Sequence, residues 1–376
     1  MDQGAAAKAF RRDTTDLPPN RTYFPILDGI RALASFAVMT GHTRSFFGFS
    51  FAKGYLAVDL FYVLSGLVVA SAYEQRLLSG MTVHQFFRVR LARLYPLYVL
   101  ALAISIAANF IEPSSEFPRH ALIEVGLLGL LILPVIRADV HNAFPLVGPS
   151  WSLFFELFVN LIYAIGVRSL RNRTILAIVA LSALLIVACA IVSPAHDFDM
   201  GWTRRTFVAG FPRVGYSFGV GLLLYRFSSR LPALGICRTQ PVLTAILLLL
   251  LVAGTLAAQP SGWLSLVWDC TAAFVVFPIL IYIGMQIRCS DVARQLLAYL
   301  GMASYTIYII HKPLYDLITT IIVFGQRTDI YPALTPWAGI GFASFLLAIS
   351  FPLDRYYDQP IRRRLGWKPR HRPEAT

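Results

Sequence analysis

The chain has 376 residues, of which 57% are hydrophobic and only 14% are charged, and its net charge is +13. Soluble domains contain about 25% charged residues, so this composition excludes an ordinary soluble enzyme and indicates an integral membrane protein. The positive charge is typical of cytoplasmic loops, whereas nucleic-acid binding would need a soluble basic module that the sequence does not show. Four cysteines without paired spacing predict neither a disulfide framework nor a metal site.

Ten hydrophobic segments are long enough to cross a bilayer, and clusters of arginine lie between them. They cover residues 24–43, 55–73, 94–110, 150–167, 174–193, 206–227, 241–258, 263–287, 296–323 and 333–355. Arginine clusters are usually retained on the cytoplasmic side, and all of them face that side only if the chain crosses the membrane ten times. An eleventh candidate, 120–136, is then a re-entrant or interfacial element on the outer side. We therefore expect an all-α bundle of about ten transmembrane helices, with eleven as the alternative.

This topology places a membrane domain between two short tails. Residues 1–22 are predicted to form a cytoplasmic N-terminal tail, 23–358 the membrane domain and 359–376 a basic cytoplasmic C-terminal tail. Because the N-terminus is polar and has no apolar region before Tyr23, we expect no cleavable signal peptide.

The first hydrophobic segment carries Arg31 and His42. The eleven residues from one to the other complete three helical turns, so both side chains point the same way, about 16 Å apart along the axis. A charged group inside a membrane is energetically costly, so it usually faces the interior of the helix bundle and has a functional role. The pair therefore suggests a site that extends across much of the bilayer. His42 would then be a general base. The alternatives are that Arg31 is an interfacial anchor and His42 a packing residue.

Further ionisable residues lie early in the second segment and before the third. Asp59 stands near the start of an apolar run, where it either pairs with a neighbouring arginine or orients a catalytic group. Small residues after it, including Ser65 and Gly66, favour close helix packing. Arg90 and Arg93, three residues apart, are either topology signals or a pair that binds phosphate on the cytoplasmic face.

Polar residues in the fourth and ninth segments complete the candidate set. Trp151 begins the fourth segment as an expected interface anchor, and Glu156 lies about one and a half turns further in. A buried unpaired carboxylate is costly, so Glu156 needs a partner from another helix, and the topology places it on the outer side, where it can meet His42. The ninth segment carries a polar face at helical spacing, which is at the least a packing seam, formed by Ser304, Tyr308 and His311.

In this order along the chain, these motifs resemble the membrane acyltransferase family 3, the group that contains sugar, polysaccharide, Nod-factor and macrolide O-acyltransferases. The resemblance covers about residues 23–365 and rests on Arg31 with His42, Gly54 to Gly66, Arg90 with Arg93, Trp151 to Glu156, and Tyr305 to His311. Ala57 departs from the family, which often has glycine at this position. The chain also shows no extracellular hydrolase-like domain of the kind some members carry, so the chemistry is expected in the membrane part or in a partner.

The resemblance implies transfer of an acyl group, usually acetyl, from cytoplasmic acyl-CoA to a hydroxyl of a carbohydrate-type acceptor, such as a cell-surface or exported polysaccharide. A macrolide or another small molecule is the alternative acceptor, and a non-enzymatic transporter of lipid-linked sugars is the competing class. Acyl-CoA is then a co-substrate, with no tightly bound cofactor. The implied surroundings are the bilayer of a bacterial cytoplasmic (inner) membrane, with no nucleic-acid partner.

The same resemblance gives roles to residues of this chain. His42 is expected to be the base that activates the acceptor hydroxyl, Glu156 to orient it or balance its charge, and Asp59 to complete the catalytic group. Three arginines are expected to hold the donor: Arg31, Arg90 and Arg93. Five residues are expected to contact the substrate: Trp151, Ser152, Tyr305, Tyr308 and His311.

Overall fold

The computed structural model describes residues 23–111, 119–324 and 333–365. These residues are mostly helical and contain no strand beyond one isolated bridge between Asn142 and Thr203. Eleven helices position the site: α1 (Pro25–His42), α2 (Ala57–Leu78), α3 (Val83–Ile111), α4 (Leu122–Leu130), α5 (Ser150–Gly166), α6 (Asn172–Val192), α7 (Gly210–Phe227), α8 (Pro241–Ala257), α9 (Trp263–Gly284), α10 (Asp291–Phe324) and α11 (Trp337–Arg364). The predicted all-α class is confirmed, while the predicted tail at 1–22 lies outside the described residues.

The ten predicted membrane segments correspond to ten of these helices, and only α4 has no counterpart among them. Within the described residues, six helices are long and apolar enough to cross a bilayer, namely α2, α3, α6, α7, α9 and α11. α5 and α8 are shorter apolar helices. Several helices extend beyond the predicted segments, and two do so by nine residues or more: α3 already begins at Val83, and α11 continues to Arg364, inside the segment predicted as the C-terminal tail. The polar residues at these helix ends therefore belong to the helix bundle.

The arginine-rich connections lie together at one end of the bundle. Glu74 at the end of α2 pairs with Arg226 at the end of α7, at 3.1 Å. Arg226 also donates to the carbonyl of Leu170, in the connection from α5 to α6. Arg88 at the start of α3 donates to the carbonyl of Leu365, just after α11. We call this the basic end, and its composition matches the prediction that these loops share one face of a membrane.

The segment before α5 enters the bundle and returns to the same end. α4 has nine residues and is about 13 Å long, too short to cross a hydrocarbon core of about 30 Å. It lies against α3, where Tyr98 donates to the carbonyl of Gly129 at 2.5 Å. The chain then returns towards the start of α5, where Ser105 donates to the carbonyl of Leu146. This path fits the predicted re-entrant element at 120–136, and its position relative to a membrane stays a prediction.

Two glycines allow α2 and α7 to pack backbone against backbone. A Cβ atom on Gly66 would collide with the carbonyl oxygen of Phe218, and one on Gly221 would collide with the carbonyl oxygen of Val63. Lipid tails are as apolar as leucine, so helix association in a membrane depends on close packing of this kind. The predicted packing role of Gly66 is confirmed, and it fixes α2, which carries Asp59 and Ser65, against α7.

We expect Gly221→Ala to destabilise the protein, because its methyl group has rigid backbone on the opposite side and the helices must separate. Overpacking of this kind costs about 1–3 kcal/mol. Gly254→Ala is the matched control, since Gly254 also lies within a helix but has open space where its Cβ would be. Thermal unfolding in detergent should show a lower midpoint temperature for Gly221→Ala than for the wild type, and an unchanged midpoint temperature for Gly254→Ala. Equal midpoints would contradict the close contact.

Candidate active site

A cavity of about 480 Å³ lies at the basic end, among α1, α2, α3, α5, α10 and α11. This volume falls within the range of roughly 300–1,000 Å³ that is typical of ligand pockets. We call it the arginine cavity after the four arginines that line it: Arg31, Arg90, Arg93 and Arg362. The structure therefore brings together all three arginines that were predicted to hold a donor, and it adds a fourth.

Glu156 is paired with Arg90 inside this cavity. Arg90 donates from Nη2 to Oε1 of Glu156 at 2.5 Å, and Ser65 donates to the same oxygen at 2.8 Å. The expectation that Glu156 needs a partner from another helix is confirmed, and the partner is the cation of Arg90. The expectation that it meets His42 is wrong, because the carboxylate lies in the arginine cavity. The reason is the early start of α3, which places the guanidinium of Arg90 within the bundle at the depth of Glu156.

The other cavity arginines differ in whether they have an acidic partner. Arg31 pairs with Asp28 one turn earlier in α1, at 3.2 Å. Arg362 pairs with Asp358 one turn earlier in α11, with Nε 2.8 Å from Oδ1. Within the described part of the chain, Arg93 forms neither an ion pair nor a hydrogen bond. Its guanidinium is thus the cavity cation that is available to an incoming anion.

Two buried polar atoms of cavity residues also lack a partner within the described residues. They are Nε of Arg90 and Oγ1 of Thr306, and the two residues are 4% and 1% exposed. A buried polar group without a hydrogen bond costs free energy, so such groups often mark positions where a ligand or water binds. Two residues that line the arginine cavity therefore have unused hydrogen-bonding capacity in addition to the charge of Arg93.

Aromatic and hydroxyl side chains line the part of the cavity that lies deepest in the bundle. Tyr308 and Ser152 are hydrogen-bonded through their hydroxyls at 2.7 Å, and the ring of Phe61 packs edge-on against Tyr308. Tyr305 also lines the cavity and donates to the carbonyl of Leu94 at 2.6 Å. Three of the residues predicted to contact substrate, Ser152, Tyr305 and Tyr308, thus line one cavity.

His42 lies beyond the deep part of this cavity. The lining on α1 extends to Ser35, which is seven residues and about 10 Å along the helix before His42. His42 is the last residue of α1 and is exposed, while His311 on α10 is fully buried. Nδ1 of His42 is 2.8 Å from Nε2 of His311. His311, predicted to contact substrate, is therefore in contact with the predicted base.

Asp59 and Trp151 lie together at another buried cation, Arg213. Asp59 and Arg213 form an ion pair at 2.6 Å, with side chains 2% and 0% exposed. Arg213 also donates to the carbonyl of Met200 at 2.6 Å and has its guanidinium over the ring of Trp151. Of the two alternatives for Asp59, pairing with an arginine is the one observed. Trp151 was expected at a membrane interface, but it is buried against this ion pair.

Some residues of the site and its support were missed by the sequence analysis. Arg213 was passed over although it is a charged residue within an apolar segment, which is itself a signal. Asp358 and Arg362 were assigned to a polar exit and a tail, although their four-residue spacing on a helix predicts an ion pair. Lys53 and Asp269, which form a buried ion pair at 2.9 Å away from the basic end, have no local signal because they are far apart in sequence.

The fold and the cavity define a class: a helical membrane protein with an arginine-lined cavity at the end of the bundle that carries its basic loops. Residues 24–355 match the family model described as an acyltransferase domain. The chain belongs to this family, the membrane acyltransferase family 3, as the motifs suggested.

Named relatives agree with this family. Protein 2 in the picA locus of Rhizobium radiobacter is 44% identical over 188 residues, which are 46% of this chain and 97% of that protein. The exopolysaccharide production protein ExoZ of Rhizobium meliloti is 23% identical over 315 residues, 82% of this chain and 92% of ExoZ. The peptidoglycan O-acetyltransferase OatA of Listeria monocytogenes is 31% identical over 166 residues, 42% of this chain and 23% of OatA. No solved structure matches the chain.

The two arginines of α3 should differ in their effect on stability. Arg90→Gln leaves the carboxylate of Glu156 without its cation, and breaking a buried pair costs about 3–5 kcal/mol. Because Glu156 is 21% exposed, we expect about 2 kcal/mol here. Arg93→Gln, which breaks no ion pair within the described residues, should change stability by less than about 0.5 kcal/mol. Denaturant unfolding in detergent measures both, and equal losses would contradict the assigned pairing.

Proposed function

We propose that this protein is an O-acyltransferase that moves an acyl group, acetyl in the simplest case, from acyl-CoA to a hydroxyl of a carbohydrate-type acceptor. The observation that carries the proposal is the arginine cavity of about 480 Å³, in which Arg93 has no partner within the described residues and whose lining residues Arg90 and Thr306 each have a buried polar atom without one. Membership of the acyltransferase family supports the reaction. The names of ExoZ and OatA, an exopolysaccharide production protein and a peptidoglycan O-acetyltransferase, support a surface polysaccharide as acceptor.

The donor binds at the basic end. Coenzyme A carries phosphate groups, and arginine recognises phosphate through paired, charge-assisted hydrogen bonds. Arg93 supplies the charge, while Arg90 adds an Nε–H that has no partner within the described residues. Arginine-rich loops are retained on the cytoplasmic side of a membrane, so the basic end, with both termini, faces the cytoplasm of a bacterial inner membrane, where acyl-CoA is made.

The acceptor is activated at the other end of α1. Nε2 of His42 takes the proton from the acceptor hydroxyl, and the oxygen attacks the carbonyl carbon of the thioester. The new C–O bond forms, the C–S bond breaks, and the proton held by His42 passes to the leaving thiolate, which gives the ester and free coenzyme A. To reach His42, the thioester must pass the deep layer formed by Ser35, Phe61 and Tyr308, and the pantetheine arm is a flexible chain that suits this path.

Replacing Arg93 tests the donor site. We expect Arg93→Gln to raise the KM for acyl-CoA about tenfold and to leave kcat nearly unchanged, because a hydrogen bond to a charged group contributes about 1.5 kcal/mol or more. Arg363→Gln is the control, since Arg363 is an exposed arginine one residue from the cavity residue Arg362. Steady-state kinetics of the purified protein measure both variants. An unchanged KM for acyl-CoA in Arg93→Gln would contradict the donor site and indicate that Arg93 only keeps its loop on the cytoplasmic side.

Replacing His42 tests the base. We expect His42→Ala to lower the rate of acyl transfer by about 10²–10⁴-fold, the usual contribution of a general base, while the protein still folds because the side chain is exposed. Mass spectrometry of the host's surface glycans should show loss of the same acyl group in a deletion strain and in His42→Ala. Unchanged acylation in both strains, with a lipid-linked sugar accumulating in the deletion, would instead indicate a transporter.

A further inference from the structure

The contact between His42 and His311 lies outside the arginine cavity, and the proposed reaction does not yet account for it. Helices α1 and α10 pack in parallel and in one register over this region. Ser35 donates to the carbonyl of Ser304 at 2.8 Å, and two turns further along both helices His42 meets His311. The two pairs have the same separation in sequence, 269 residues. The hydroxyl contact deep in the bundle thus places the two imidazoles opposite each other.

The hydrogen bonds of His311 fix where its proton is. Its Nδ1 is 2.8 Å from the carbonyl oxygen of Ile307, one turn earlier in α10. A carbonyl oxygen only accepts hydrogen bonds, so Nδ1 of His311 carries a hydrogen and donates it. The ring is fully buried, which favours an uncharged imidazole, since charging a buried group is costly. Nε2 of a neutral ring protonated on Nδ1 has a lone pair and is an acceptor.

The tautomer of His42 follows from that of His311. Nδ1 of His42 lies 2.8 Å from Nε2 of His311, which is an acceptor, so Nδ1 of His42 must be the donor. In a neutral His42 the remaining nitrogen, Nε2, then carries the free lone pair. Because His42 is exposed at the end of α1, that lone pair is accessible from outside the packed helices.

We propose that His311 is a positioning residue, which holds His42 in the tautomer whose Nε2 accepts the proton of the acceptor hydroxyl. This inference rests on the proposed function, because it assigns a role only if His42 is the base. When Nε2 of His42 takes the proton, the ring becomes an imidazolium and still donates from Nδ1 to His311. That hydrogen bond becomes charge-assisted and therefore stronger at the moment when the positive charge forms.

A carboxylate performs this role in the Ser-His-Asp arrangement, where it orients the histidine and stabilises its charged form. Here a neutral imidazole does so, with its own orientation set by the backbone of α10. Glu156 does not take this role, because its carboxylate is bound to Arg90 in the arginine cavity. A neutral partner also leaves no charged group to be buried within the membrane when His42 is unprotonated.

Two substitutions of His311 test whether its role is to accept the hydrogen bond from Nδ1 of His42 or only to fill space between the helices. The amide oxygen of His311→Gln still accepts from Nδ1 of His42, whereas His311→Leu fills the space and accepts nothing. We expect His311→Leu to lower kcat by about 10²-fold or more, within the range for loss of a general base. We expect His311→Gln to retain kcat within about tenfold, and the KM for acyl-CoA to be unchanged in both, since the donor binds at the other end of α1.

The possible outcomes are distinct. Equal kcat values for His311→Leu and His311→Gln, whether high or low, would overturn the positioning role and leave the proposed function standing if His42→Ala is inactive. Full activity of His42→Ala would overturn both. Thermal unfolding and acyl-CoA binding report whether each variant folds. If His311→Leu fails to fold, ¹⁵N NMR spectra of histidine-labelled wild-type protein decide between the tautomers. The His42 signals are assigned by their loss in His42→Gln. A hydrogen on Nδ1 of His42 supports the inference, and a hydrogen on Nε2 overturns it.

Discussion

Ion pairs between helices are the interactions on which this bundle depends. In a bilayer the surrounding lipid is as apolar as leucine, so hydrophobic burial does little to select one helix arrangement over another. The pairs Asp59–Arg213 and Glu156–Arg90 each join two helices, and Lys53–Asp269 joins the connection before α2 to α9. Removing one member of such a pair leaves an uncompensated charge in a medium of low dielectric constant. Each pair therefore restricts which helices are neighbours and at what depth they meet.

Against this pattern of ion pairs, Arg93 is an exception among the cavity arginines. Arg31, Arg90 and Arg362 each have a carboxylate, so they contribute little net charge to the cavity. Within the described residues Arg93 alone among the cavity arginines lacks such a partner. Its guanidinium lines the cavity of about 480 Å³, where a charge is screened less than in water and therefore interacts more strongly with a group of opposite charge. The pairing of the others also holds their guanidinium groups in fixed positions.

The sequence predicts features that depend on local pattern. Hydrophobic runs were sufficient for the ten helices, because the length and composition of each run are read directly from the chain. Helical spacing predicted that Arg31 lies near the start of α1 and His42 at its end. The need of Glu156 for a partner from another helix followed from the cost of burying a charge.

The sequence does not predict features that depend on which helices are neighbours. Glu156 was expected beside His42, and its contact with Arg90 depends on how α3 and α5 lie against each other. Trp151 was expected at an interface, but its position against Arg213 follows from the packing of α5 on α7. His311 was expected to contact substrate, and its contact with His42 required the parallel register of α1 and α10. None of these relations is visible within one segment.

The register of α1 and α10 also places chemically different residues at the two ends of this helix pair. Near the start of α1 the chain carries Asp28 and Arg31, a charged pair in a cavity that an ionic ligand can enter. Two turns past Ser35 it carries His42 against His311, which is fully buried. The contacts between the two helices change from a hydroxyl-to-carbonyl bond at Ser35 to an imidazole pair at His42, and each is uncharged. Ion pairs lie towards both ends of this helix pair, Asp28–Arg31 at the cavity and Lys312–Asp316 next to His311, so the uncharged contacts at Ser35 and His42 hold the two helices in register without adding a further charge.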